Sequence, residues 1–570
     1  MRSRNLSRPG SFALALLTAA ALAACGGGGD DSSATHASTA TTTTDTTTPT
    51  TGGTSNNPGT GGTSAPASLV TAACTNCGAV DDHTYAGSGV GVWQSVNASA
   101  SAVDVPLSIS GVKGQDVTLV FSNMTAAAQA MPAISLTASY YPSIAASQLR
   151  FDDGGEAEKA RIAEFNRNGW VSLAGAKANG PARSIFAGPT ASVLNDTKSW
   201  YHSDNTARSA TLLRQTTLSD GTTLNVWVED GESDPTKISS SILDSIVSGF
   251  ASSGKIYDML KSVGGPAWGA HNYSNLIAGS GQPIDIVILN FDRNATPYGM
   301  VGYFFSRNNI VRGSSNPFSN ESVSLYLDAE TLYLGGPAGL QAMLMTMAHE
   351  GMHMQNFYRR GVVAGNQYQF DTWLEEASAM MMEDFASHTI DPTYNNVRDV
   401  RFPNYVGYKA GSYNCSLLDW TPFGASCDSY SVSGSFGGFL DRQLGLGFFK
   451  NLLANTSSTD SVTVLDNAIK ATVPTSGFTD QLRRFAATAT SLMPAASSPA
   501  GFGYPTRLDS GFVLPLIDPV AQAPYRTLTQ SVPTALQPYA SLPVVRKAVN
   551  GTYSETVKIP AGTTLSVVIQ

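Results

Sequence analysis

His349-Glu350-Gly351-Met352-His353 places two histidines four residues apart with a glutamate between them. On an α-helix this spacing puts both imidazoles on one side, about one turn apart, where they can reach a single metal ion. Glu350 then lies beside the metal without ligating it, positioned to take a proton from an attacking water and pass it to a leaving amine. The pattern points to metal-assisted hydrolysis with one catalytic Zn2+. Its setting reads as helix, because Leu340, Met343, Leu344, Met347 and Ala348 form an apolar stripe and Gly361 is expected as the stop. The chain has 7 histidines in 570 residues, so a pair at this spacing carries weight.

Tetrahedral zinc needs a third protein ligand and an open fourth position. The next helical stretch, residues 371–379, offers Asp371 as N-cap and two adjacent glutamates. On a helical wheel Trp373, Leu374, Ala377, Met380, Met381 and Phe385 form one apolar face. Glu376 borders that face and is the expected third ligand, whereas Glu375 is expected to point to solvent. Asp384 projects onto the apolar side, where an unpaired carboxylate is costly. It is read either as a second-tier group orienting a zinc-binding histidine or as the partner of a structural arginine or backbone amide.

Trp373-Leu374-Glu375-Glu376-Ala377 resembles the helix that carries the third ligand in gluzincin metallopeptidases, with Ala377 where many of them have glycine. Within that group the chain is most similar to the hyicolysin family of bacterial secreted peptidases, through residues 223–230, 284–288, 302–304 and 324–328, the zinc helix, and Met382-Glu383-Asp384. The resemblance spans residues 195–492. It implies an α+β fold: a zincin-like domain with a mixed sheet, an active-site helix and a mostly α-helical lobe, the cleft lying between sheet and lobe. It implies His349, His353 and Glu376 as metal ligands, Glu350 as the catalytic base and then acid, and a protein or peptide substrate paired along an edge strand. The stretch from Tyr430 to Leu440 resembles the region in which several gluzincins carry an oxyanion-binding tyrosine, and it nominates Tyr430 for that role.

Residues 1–24 have the layout of an export signal: Arg2, Arg4 and Arg8, then an apolar run of roughly 13 residues, too short to span a bilayer. Leu22-Ala23-Ala24-Cys25 resembles a bacterial lipobox, which implies a lipid-anchored Cys25 in the cell envelope. The absence of aspartate after Cys25 implies an outer-membrane position in a diderm source. Residues 25–68 are rich in Thr, Ser and Gly and read as a flexible tether of about 43 residues, with an end-to-end distance of roughly 35 to 40 Å. The other four of the five cysteines suit an oxidising compartment. Cys415 and Cys427 are expected to close a loop near the active site. Cys74 and Cys77 read best as a local disulfide, against a redox pair or half of a zinc ribbon.

Flanking the peptidase region at 195–495, the sequence predicts a small β-sandwich-like module at 69–145, a linker at 146–194 with a polar helix near 156–165, and a C-terminal β accessory domain at 496–570. Whether the linker masks the cleft until it is cut is left open by its residues. The net charge is -9 with 14% charged residues, and no basic run suggests nucleic acid. Composition does not separate an exported enzyme from a surface adhesin carrying an inactive or merely structural peptidase domain; the intact Glu350 favours the enzyme. A zinc hydrolase acting on bonds other than peptides would use the same metal site.

Overall fold

The computed structural model describes residues 70–136, 155–180, 191–407, 411–421 and 427–570. Cys25, the export signal at 1–24 and the tether at 25–68 lie outside the described residues. Along the chain, strands β1 (Gly91–Asn97) and β2 (Val103–Asn123) are followed by helix α1 (Glu156–Glu164) and a π-helical turn, Phe165–Gly169. Next come β3 (Thr197–Tyr201), β4 (Ala207–Thr217), β5 (Thr223–Glu229), α2 (Ser240–Ala251) and α3 (Ile256–Gly264). Strands β6 (Ile284–Leu289), β7 (Gly302–Phe304) and β8 (Val323–Asp328) lead into α4 (Ala329–Leu334), α5 (Gly336–Asn356) and α6 (Thr372–Ile390). The helical lobe continues with α7 (Phe402–Gly407), α8 (Ser429–Ala454), α9 (Ser461–Thr472) and α10 (Phe478–Ser491), and the chain closes with β9 (Ser541–Ile559) and β10 (Thr563–Ile569).

The mixed sheet has the order β7-β8-β6-β5-β4-β3. Its centre is parallel, β6 pairing with both β5 and β8, and its flanks are antiparallel. Every residue of β6 and β8 is buried, as expected of parallel strands covered on both faces. The short strand β7 forms one edge. At Gly302 a Cβ would stand 2.5 Å from Thr346 Cγ2 and 2.8 Å from Tyr326 O, so the missing side chain lets α5 lie directly against β7. That contact sets the distance between the edge strand and the two histidines of α5.

Helix α5 starts on Gly336 and Pro337, with proline in the first turn where its missing N–H costs nothing. It ends at Asn356 and passes into a π-helical turn, Phe357–Ala364. The expected stop at Gly361 is corrected: the break falls at Gly365, whose φ of 127° suits glycine. Local side-chain caps fix several other helix starts. Asp328 Oδ2 accepts from Thr331 N at 2.7 Å, and Asp460 Oδ2 from Thr463 N at 2.8 Å.

The two separate β modules expected at the ends of the chain are corrected to one. Strand β2 pairs along nearly its whole length with β9, from Val103 opposite Ile559 to Ser122 opposite Ser541, and β10 inserts between β1 and β2. Their inward faces share one apolar core that includes Trp93, Leu119, Phe121, Val544, Val557 and Val567. Alternating apolar residues specify strands on both segments, but alternation carries no information about a partner more than 400 residues away. A smaller cluster of Val90, Val92, Val568, Ala487, Met493 and Phe502 seats this sheet on the end of α10. The first part of the predicted accessory domain packs with the peptidase instead, Phe512 meeting Phe385 of α6 edge-on at 5.4 Å. Both expected disulfides, Cys74–Cys77 and Cys415–Cys427, are formed.

His202 is 4% exposed beneath the sheet, its Nδ1 3.1 Å from the Tyr303 hydroxyl. Burial lowers its pKa to about 4 against the opposing pull of Asp204. Above pH 6.5 the ring is neutral whether folded or unfolded; as pH falls toward 4 only the unfolded chain takes the proton, so stability is lost across that window, by about 3 kcal/mol. The His202→Gln variant should therefore lose less stability than the parent between pH 6.5 and 4, as read from urea-unfolding midpoints at the two pH values. Equal losses in the two proteins would show that His202 does not contribute.

Candidate metal centre and active-site cleft

The two histidines of α5 project from one side of the helix, with Nε2 atoms 3.0 Å apart and rings crossed at 80°. Helix α6 packs against α5 and brings Glu376 to the same point. Its Oε2 lies 3.2 Å from His349 Nε2 and 3.7 Å from His353 Nε2. No hydrogen bond of acceptable geometry reaches Glu376 Oε2, although the atom is buried. Three Lewis-basic atoms thus converge where water is largely excluded, and among the described residues they form the one His/Cys/Asp/Glu group close enough to hold a metal. Two imidazoles and a carboxylate are a donor set suited to zinc. A buried carboxylate oxygen with no hydrogen-bond donor is an atom that a cation would satisfy, so these residues fit the ion.

The far sides of both rings are held by carboxylates. His349 Nδ1 lies 2.6 Å from Glu383 Oε1, and His353 Nδ1 lies 2.9 Å from Glu375 Oε1. Each carboxylate accepts the Nδ1 proton, so in the neutral ring the Nε2 lone pair faces the centre. Burial opposes protonation of His349, yet Glu376 and Glu383 outweigh it and hold its pKa at about 9; His353 is likewise raised, by Glu376 and Glu375. Burial pushes the Glu376 carboxyl up, but His353 and His349 drive it below the usual carboxylate range. The pocket is strongly biased toward positive charge.

Two expectations are corrected by this arrangement. Glu375 does not face solvent: it accepts from His353 and from Asn356 Nδ2 at 3.1 Å. Asp384 does not orient a histidine; its carboxylate is fully buried against Arg442, 2.5 Å from Nη1 and 3.2 Å from Nη2, and accepts from Asn395 at 2.6 Å. The histidine's partner is its neighbour Glu383. Residue 383 lies seven positions beyond Glu376, about two helical turns, so helical spacing alone was enough to place both on one side of α6.

Glu350 sits between the two histidines and turns toward β7, its Oε2 accepting from the Phe304 N–H at 2.8 Å. Tyr430, at the start of α8, lines the same cleft. Its ring meets Trp420 edge-on at 4.8 Å, and the Arg401 guanidinium lies 5.4 Å from the ring centre. Arg401 also approaches both oxygens of Glu383 at 3.5 Å, so one cation contacts the tyrosine and the His349 support. Burial raises the Tyr430 pKa well above its ordinary value, and the negative charges of Glu376, Glu156 and Glu350 raise it further. The hydroxyl therefore stays protonated and able to donate. Asp371 takes the N-cap position of α6, but its carboxylate pairs with Arg167 instead of capping the helix.

Residues 204–570 match the model of a peptidase family, M30, whose members are zinc metallopeptidases. The match covers well over half of the chain, and the chain belongs to the peptidase M30 family, the hyicolysin family that its motifs resemble. Residues 72–136 match a domain of unknown function, DUF8571. A comparison with curated proteins gave no match.

The different partners of Glu383 and Asp384 separate their roles. Glu383→Gln should weaken zinc binding by about 10- to 100-fold with little change in unfolding midpoint. Asp384→Ala, which leaves Arg442 buried and uncompensated, should cost about 3–5 kcal/mol of stability while the folded protein keeps its zinc affinity. Metal-competition titration and denaturant unfolding of both variants check this; a zinc defect in Asp384→Ala larger than that in Glu383→Gln would reverse the assignment.

Proposed function

We propose that this chain is a zinc-dependent endopeptidase of the gluzincin type that hydrolyses proteins or peptides outside the cytoplasm. The observation that carries the reading is the meeting of His349 Nε2, His353 Nε2 and Glu376 Oε2 beside a glutamate, Glu350, that touches the main chain of an edge strand. When bound by these three residues, zinc supplies Lewis acidity that activates water near neutral pH and polarises the scissile carbonyl.

The protein's own groups account for the rest of the reaction. An extended substrate backbone adds to the open side of β7, which aligns its scissile carbonyl with the floor of the cleft. Glu350 Oε2 takes the proton from the attacking water and returns it to the leaving amine. Tyr430 donates its hydroxyl hydrogen bond to the oxygen on which charge develops. Glu383 and Glu375 hold the two imidazoles so that no reorientation is needed during turnover. Edge-strand pairing favours peptides over other hydrolysable substrates, and an intact Glu350 favours catalysis over a purely structural domain.

The two disulfides suit an oxidising compartment. They support export; lipid anchoring to the cell envelope, at the outer membrane in a diderm source, rests on the lipobox-like stretch ending at Cys25.

Glu350→Gln should keep one zinc per chain yet lose about 10²- to 10⁴-fold in turnover. Tyr430→Phe should lose about 10²- to 10³-fold in kcat with KM nearly unchanged. Cleavage of a reduced, unfolded protein, with zinc measured on the same samples, is the test. Undiminished activity in Glu350→Gln would rule the mechanism out.

A further inference from the structure

Residues 155–180 belong to neither matched span, 72–136 or 204–570, yet they form one wall of the cleft. Helix α1 and the turn after it place Lys159, Ile162, Ala163, Asn166 and Arg167 along the cavity that holds His349, Glu350 and His353. The segment spans the cleft and is fastened on both sides. On the sheet side, Arg161 donates to Ser203 O at 2.7 Å and Phe165 meets Phe305 edge-on at 5.2 Å. On the helix side, Arg167 pairs with Asp371 at the start of α6, and Gln369 Nε2 donates to Arg167 O at 2.9 Å.

Asn166 takes up main-chain groups of the edge strand that a substrate would need. Tyr303 faces Tyr326 of β8, and in a pleated strand alternate residues turn their N–H and C=O to opposite sides. Phe304 therefore presents both of its groups on the open side, and the Ser306 N–H, just past the end of the strand, turns the same way. Asn166 Oδ1 accepts from Ser306 N at 2.7 Å, and Nδ2 donates to Phe304 O at 2.9 Å. The remaining group, Phe304 N–H, is held by Glu350. A carboxamide carries the same donor and acceptor as a peptide group, so one asparagine satisfies two of the bonds that an added strand would make.

The hold on this segment is uneven. Within α1 only Ile162 is buried, whereas Trp170 beyond the turn is fully buried and its Nε1 donates to Asn366 at 3.0 Å. Residues 156–169 are held mostly by polar contacts and partly buried side chains, so they can leave their seat at lower cost than the fully buried Trp170, which stays anchored.

We propose that residues 156–169 are an inhibitory strap, hinged near Trp170, in which Asn166 stands in for substrate backbone on β7. Extended polypeptide is cleaved only when the strap has left that edge. This inference rests on the peptidase reading above and adds its regulation. A strap seated about 90% of the time or more lowers apparent substrate affinity about tenfold or more, and freeing it removes that factor.

The test uses the zinc-loaded full chain, with a reduced, unfolded protein as substrate and a tripeptidyl hydroxamate as cleft probe. Asn166→Ala should raise kcat/KM by about tenfold or more. In the parent, hydroxamate binding should speed hydrogen exchange in 156–169 while slowing it in 302–306. An unchanged or lowered kcat/KM in Asn166→Ala, or slower exchange in 156–169 on binding the probe, overturns the strap and makes the segment a fixed wall of the substrate site. The exchange measurement needs no turnover. Zinc-loaded parent and Asn166→Ala that both fail to cleave would sink the peptidase reading, while the movement of 156–169 would still decide the strap.

Discussion

Three basic atoms brought within van der Waals reach of one another in a buried pocket are the constraint on which the site depends. His349 Nε2 and His353 Nε2 face each other at 3.0 Å, and Glu376 Oε2 beside them is buried without a hydrogen-bond donor. A divalent cation held by these three atoms would resolve the conflict and tie α5 to α6. The protein prepares for it with a second tier of acid, Glu383 behind one ring and Glu375 behind the other, so the local field favours positive charge before any ion arrives. Packing enforces the geometry: α5 can lie against β7 because Gly302 has no side chain at the contact.

A second buried charge system lies deeper in the helical lobe. Arg442 bridges Asp384 of α6 to the Pro515 carbonyl, and Asp441, next to it, is buried with no hydrogen bond to either carboxyl oxygen. Burial and the nearby Asp384 charge raise the Asp441 pKa well above its ordinary value. This system ties α6 to α8 and to the chain at Pro515, beyond α10. It keeps Glu376 and Glu383 in register with the histidines without touching the cleft.

Much of the candidate site was legible in the sequence because its information is helical and local. His349, Glu350 and His353 share one turn, and Glu376 follows from the boundary of an apolar face on the next helix. Glu383 is within reach of the same logic, while of the two readings open for Asp384 the structural arginine is the one realised, in Arg442, 58 residues away. Glu375 could not be found on a wheel. Its exposure was decided by Asn356 and His353 on another helix. Tyr430 was nominated by resemblance, and the fold carries it into the cleft beside Arg401.

By itself the sequence determined the local elements of the site: the metal helix, the apolar face of the next helix that Glu376 borders, and the set of residues able to bind zinc. These follow from the periodicity of burial and from ligand spacing, which a chain carries over one or two turns. Only the tertiary structure decided that the two terminal β segments are one sheet, that Asp384 is structural, and that a polar helix between the matched regions lies on the edge strand. Each is a pairing between groups distant in the chain. Such pairings are selected by burying faces and satisfying hydrogen bonds in three dimensions, and no local pattern of residues encodes the partner.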